Sequence, residues 1–108
     1  NDLTEGEAAG VFGVSHHTDA GALTLLQQDN TPGLQFWLNS QWHTAPADPT
    51  VLFVNLGDML QVWSNDEYQA PLHRVLANST SSRYSAPYFL NPSYGCDCMP
   101  LTAGNPLY

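Results

Sequence analysis

The segment GVSHHTDAG (13–21) sets two of the chain's four histidines side by side, with a carboxylate two positions after the second. Histidine and aspartate at i and i+2 suit a metal on an extended segment, because alternate side chains of a strand point the same way. His17 and Asp19 are therefore candidate ligands, and the competing reading is a polar turn between strands. A third ligand would complete the two-histidine, one-carboxylate face that suits non-haem ferrous iron and leaves positions open for substrate and oxygen.

Three histidines compete for that third place. His16 projects away from His17 if the segment stays extended. His43 lies in QWHTAPADP, beside a proline-rich break, and is expected at the surface. His73 sits in the strand pattern PLHRVLA, where a histidine on a buried face needs a polar or metal partner. It is the strongest of the three, although a core histidine satisfied by hydrogen bonds fits the same pattern.

The chain has no lysine and two arginines, Arg74 and Arg83. Arg83 follows His73 after the turn signal NSTSS, which would place the two on neighbouring antiparallel strands if the connection is a hairpin. Ser85 falls on the same face as Arg83, about 6.6 Å along a strand. A guanidinium and a hydroxyl so placed make a carboxylate clamp, a bidentate pair plus one further hydrogen bond. A surface ion pair with one of the ten acidic residues is the plainer alternative. Arg74 directly follows His73, faces the other way, and is assigned a structural role.

Short apolar or alternating runs must position these groups. They recur at 11–14, 22–28, 34–38, 51–56, 72–77 and 83–90, separated by turn-rich segments such as DNTPG and APADPT. Strands of that length with breaks of that kind predict an all-β sandwich or barrel. At most one short helix is expected, GDMLQVW at 57–63, with Asp58 as its cap. The tail from Cys96 to Tyr108 reads as a loop.

At 108 residues the chain is long enough for one domain with a core and too short for two. A net charge of −8 argues against nucleic-acid and anionic-membrane partners, which need clustered cations. The longest apolar runs are strand-length, so none spans a membrane. Cys96 and Cys98 are too close for an unstrained disulfide and are expected as thiols. The Asn78–Thr80 sequon reads as part of a turn rather than a glycosylation site.

Taken jointly, HTDAGALTLLQQDNTPGLQ, VNLGDMLQVWSNDEYQAPLHRV and RYSAPYFLNP strongly resemble the C-terminal catalytic domain of ferrous iron and 2-oxoglutarate dependent dioxygenases. The branch is the one that includes isopenicillin N synthase, and the resemblance runs from about Gly13 to Pro92. It implies a double-stranded β-helix, or jelly roll, in partial or minimal form. Residues 1–95 would be the catalytic core and 96–108 a tail. Carried over by position, His17, Asp19 and His73 would hold Fe(2+), Arg83 and Ser85 would bind the distal carboxylate of 2-oxoglutarate, and Phe89 would border the substrate pocket.

The activity so implied is oxidation of a small-molecule substrate by dioxygen, through hydroxylation, desaturation or ring closure, with release of succinate and carbon dioxide. A cytoplasmic, reducing setting fits such an iron enzyme. Two departures bear on this. Family members are usually longer, and the tyrosine they commonly carry upstream of HTD has no counterpart in residues 1–12. Two alternatives stay open: a ferrous oxidase that does not use 2-oxoglutarate, and a catalytically inactive jelly-roll binding module. The complete candidate triad argues against the second.

Overall fold

A computed structural model describes residues 12–77, 80–97, 99–101 and 107. Asn78 and Cys98 lie outside the described residues, so the sequon and the cysteine pair are not described as units. Among these residues seven strands and one short helix follow in order: β1 (Phe12–His17), β2 (Leu23–Gln28), β3 (Leu34–Leu38), β4 (Gln41–Thr44), β5 (Leu52–Leu56), α1 (Asp58–Trp63), β6 (His73–Leu76) and β7 (Ser85–Leu90). Among the described residues no helix is long and apolar enough to cross a membrane.

The strands form two sheets, one ordered β1-β6-β3-β4 and the other β5-β2-β7, with antiparallel pairing throughout. The all-β expectation holds, and the two sheets are those of a jelly roll. Alternation along β2 explains the layering. Thr24, Leu26 and Gln28 turn towards the first sheet, and their register partners Asn55 and Phe53 on β5, and Phe89, Pro87 and Ser85 on β7, share that face. The core lies between the layers. Leu34, Phe36 and Ala45 are buried, and Leu26, Phe53 and Val75 pack on them. Phe36 stacks on Phe53 at 4.7 Å between ring centroids, joining β3 to β5 across the layers.

Four local expectations need correction. First, β6 and β7 are not a hairpin. They belong to different sheets, so the chain between them crosses from one layer to the other. Second, His17 ends β1, and Asp19 stands in the turn beyond it rather than on the strand. Third, β4 carries His43 in a strand that the proline-rich flank concealed. It follows a two-residue turn whose members, Asn39 and Ser40, have φ of 52° and 63°. Positive φ at both positions is the hairpin turn matched to strand twist, here without the Asn-Gly pair that advertises it.

The fourth concerns α1. Its cap position is Gly57, no side chain caps it, and Asp58 lies inside the first turn. The unpaired amides at the helix start are met by the turn that carries Asp19. Asp58 N–H donates to the Asp19 carbonyl at 2.7 Å, and Met59 N–H to the Gly21 carbonyl at 3.0 Å. A Cβ at position 57 would overlap the Gly21 carbonyl, so this docking requires glycine. The tail has no helix or strand among its described residues, and Leu101 N–H bonds the Trp63 carbonyl at the helix end.

Candidate metal centre

His17 and His73 stand directly opposite each other in the β1–β6 ladder, which brings their rings to 4.4 Å between centroids. Irregular register on β1, between Val14 and His17, re-aims the strand just before this pair. The turn after β1 then swings Asp19 under both rings. Asp19 Oδ1 lies 3.4 Å from His17 Nε2 and 3.2 Å from His73 Nε2. One donor atom from each residue falls within 4.8 Å of the others, a set able to hold a metal ion.

The remaining polar atoms of the triad are already engaged. His17 Nδ1 lies 2.8 Å from the Ser15 carbonyl, and His73 Nδ1 lies 3.0 Å from the Pro71 carbonyl. A carbonyl only accepts, so in each neutral ring Nδ1 carries the proton and Nε2 keeps its lone pair. Asp19 Oδ2 accepts from Thr24 Oγ1 at 2.5 Å and from Asn55 Nδ2 at 3.0 Å, which leaves Oδ1 facing the two Nε2 atoms. Burial raises the Asp19 pKa. The hydrogen bonds from Asn55 and Thr24, and His73 and His17 when their rings are protonated, together outweigh it and hold the carboxyl below its ordinary value.

The three residues differ in cover. Asp19 and His73 are buried, whereas the His17 side chain is 42% exposed and forms the open rim. Phe36 backs His73 with a stacked ring at 5.2 Å. His16 is exposed, and His43 lies on the edge strand with its Nε2 against the Leu38 carbonyl, so neither joins the triad.

A cavity of about 150 Å³ opens beside the triad. Its walls include Val14, Leu26, Leu34, Val75 and Pro87, an apolar lining, together with Arg83, Ser85 and Phe89. Arg83 precedes β7 rather than lying in it. Its Nη2 donates to Gln28 Oε1 at 2.9 Å, and its Nε is buried with no partner. Burial pulls the guanidinium pKa down and Asp29 opposes it, yet an arginine stays charged. Arg74, by contrast, is buried behind the sheet, bonded to Gln35 Oε1 at 2.9 Å and laid over Trp42 at 3.9 Å.

Sequence reasoning missed Thr24, Asn55 and Gln28. Thr24 and Gln28 share the inner face of β2 with Leu26, so polar residues on a strand's inner face were the available signal.

Two facing antiparallel sheets, with two histidines and one carboxylate gathered between them, define a jelly roll with a mononuclear metal-type ligand set. The model of the 2OG-Fe(II) oxygenase superfamily matches residues 4–92, and the chain belongs to that family. Gibberellin 2-beta-dioxygenase 5 of Oryza sativa subsp. japonica is 47% identical over 89 residues, covering 81% of this chain and 26% of that protein. JOX2, solved in complex with 2OG, Fe and JA, matches with a TM-score of 0.82 at 36% identity, over 89% of this chain and 30% of that one. Dioxygenase for auxin oxidation 1 from Arabidopsis thaliana, solved with 2-oxoglutarate, gives 0.71 at 40% identity, over 82% and 35% respectively. The chain spans about a quarter of the length of the curated relatives it matches.

Proposed function

We propose that the chain is the catalytic core of a non-haem Fe(II)- and 2-oxoglutarate-dependent dioxygenase that oxidises a small organic molecule. One observation carries the reading: three donor atoms from His17, Asp19 and His73 face one point, while every other polar atom of those side chains is held elsewhere. Two imidazoles and one carboxylate suit ferrous iron and leave part of its coordination sphere free. When bound, iron with 2-oxoglutarate supplies oxidising power by coupling loss of carbon dioxide to reduction of dioxygen.

The chain's own residues bind, orient and shield. His17, Asp19 and His73 hold the metal, with both Nδ1 protons parked on backbone carbonyls. Thr24 and Asn55 keep Asp19 presenting a single oxygen. Arg83 and Ser85, both in the cavity wall, receive the far carboxylate of 2-oxoglutarate. Leu26, Leu34, Val75 and Pro87 would offer an apolar wall to the methylene groups of the bound cosubstrate. Phe89 stands at the edge where the organic substrate approaches.

The named activities of the relatives and the 2-oxoglutarate in the matched structures support this reading. The test is succinate formation from 2-oxoglutarate by the chain with ferrous iron and oxygen, screened over small organic substrates. The reading expects iron-dependent succinate that an Asp19→Ala change removes. Oxygen consumption without succinate would replace it with a ferrous oxidase of another kind.

A further inference from the structure

Arg83 stands outside the β7 ladder, and a long side chain on a connecting segment loses as much as about 2 kcal/mol of rotamer freedom when fixed. The structure nevertheless holds it from three sides. Gln28 Oε1 accepts from Arg83 Nη2 at 2.9 Å, and Gln28 is only 4% exposed. The amide of Gln28 can be read one way round, because its Nε2 donates to the Pro46 carbonyl at 3.5 Å and the arginine only donates. On a second side lies Gly33, buried just ahead of β3. A Cβ there would stand 3.0 Å from Arg83 Cδ and 3.2 Å from Nε, so the arginine stem would have to give by a few tenths of an ångström. The Gly33 backbone is not left-handed, so the arginine stem rather than backbone strain explains the missing side chain.

On the third side, Asp29 fixes the residue after Arg83. Its Oδ2 accepts the Tyr84 N–H at 2.8 Å, and its own N–H donates to the Tyr84 carbonyl at 3.1 Å. These bonds extend the β2–β7 pairing one step past Gln28↔Ser85. Arg83 and Ser85 line the cavity and Gln28 does not, so any influence of Gln28 on a ligand there passes through the arginine.

We propose that Gln28 and Gly33 form a cradle that aims the Arg83 guanidinium into the cavity, making Gln28 a positioning residue for the carboxylate of the cosubstrate. The proposal rests on the assignment of Arg83 as cosubstrate anchor. Its test is a calorimetric titration of 2-oxoglutarate into the full chain loaded with Mn2+, alongside a separate titration of Mn2+ itself. Gln28→Leu is expected to weaken 2-oxoglutarate binding about tenfold, the scale of one hydrogen bond to a charged group. Gly33→Ala is expected to weaken it several-fold, and both variants should bind Mn2+ like the parent. If Gln28→Leu does not fold, Gly33→Ala carries the test, since it removes no hydrogen bond.

Parent-like 2-oxoglutarate affinity in both variants, with binding lost in Arg83→Leu, would overturn the cradle and leave the anchor standing. An equal loss of Mn2+ affinity would also overturn it, because the effect would then be on the fold. Failure of the parent chain to bind 2-oxoglutarate would instead strike the anchor assignment on which the cradle depends.

Discussion

Thr24 and Asn55 are register partners on β2 and β5, and both donate to the same oxygen of Asp19. This one cross-strand pair ties the second sheet to a carboxylate carried by the turn after β1. It also decides which Asp19 oxygen is left for a metal. Partners that orient a ligand typically tune metal affinity by about 10–100-fold. Asn55→Ala and Thr24→Val should each weaken ferrous iron binding by that order, read by competition with a chelator. The metal-free chain should also lose about 1–3 kcal/mol of stability, because a buried acceptor is left short of a donor. Unchanged iron affinity in both variants would mean that Asp19 needs no such orientation.

The histidines should separate cleanly. His73→Ala removes a buried donor and should abolish tight iron binding, while His16→Ala and His43→Ala, whose rings lie away from the triad, should leave it intact. Iron binding measured for the three variants beside the parent decides this. Equal binding by His73→Ala and the parent contradicts the ligand set.

Acid stability offers a test of the pinned Arg83 segment. Hydrogen bonds from the backbone N–H groups of Tyr84 and Thr31 hold the Asp29 pKa below its ordinary value, against a small opposing effect of burial, and Arg83 adds to the lowering. A depressed carboxylate contributes stability that is fully present above the unfolded value, about 3.9. That contribution disappears as pH falls through the lower folded value. Asp29→Asn should therefore be less stable than the parent at neutral pH, with the difference shrinking in acid. Thermal midpoints from pH 2 to 6 report it, and parallel profiles for the two proteins would rule it out.

The core makes a separate prediction. Phe36 is buried, stacked on Phe53 and on His73, and joins both layers. Phe36→Leu should cost about 1–3 kcal/mol in urea unfolding, whereas Leu38→Ala on the same strand, at a side chain 50% exposed, should stay within about 0.5 kcal/mol. Equal costs at the two positions would place the core elsewhere.

Much of this was legible in the sequence, and the misses have physical causes. Short apolar stretches between turn signals announced the strands at Leu23–Gln28 and Leu52–Leu56. The residue types at His17, Asp19, His73, Arg83 and Ser85 suggested a common site, and the structure brings all five to one cavity. Strand adjacency was not legible. A turn signal between His73 and Arg83 looks the same whether the chain reverses within a sheet or crosses between two. The helix start misled for a related reason. Asp58 is a good capping residue in isolation, but the amides it would serve are met by Asp19 and Gly21, which are remote in sequence. Gln28 and Asn55 stayed hidden because their partners, Arg83 and Asp19, are remote in sequence.

The central claim is that His17, Asp19 and His73 bind ferrous iron beside a 2-oxoglutarate site anchored by Arg83. The most direct measurement is the visible spectrum of the folded chain when ferrous iron and then 2-oxoglutarate are added without oxygen. The expected result is a metal-to-ligand charge-transfer band that needs both additions and is absent in Asp19→Ala. A folded parent chain whose spectrum does not change on either addition would contradict it.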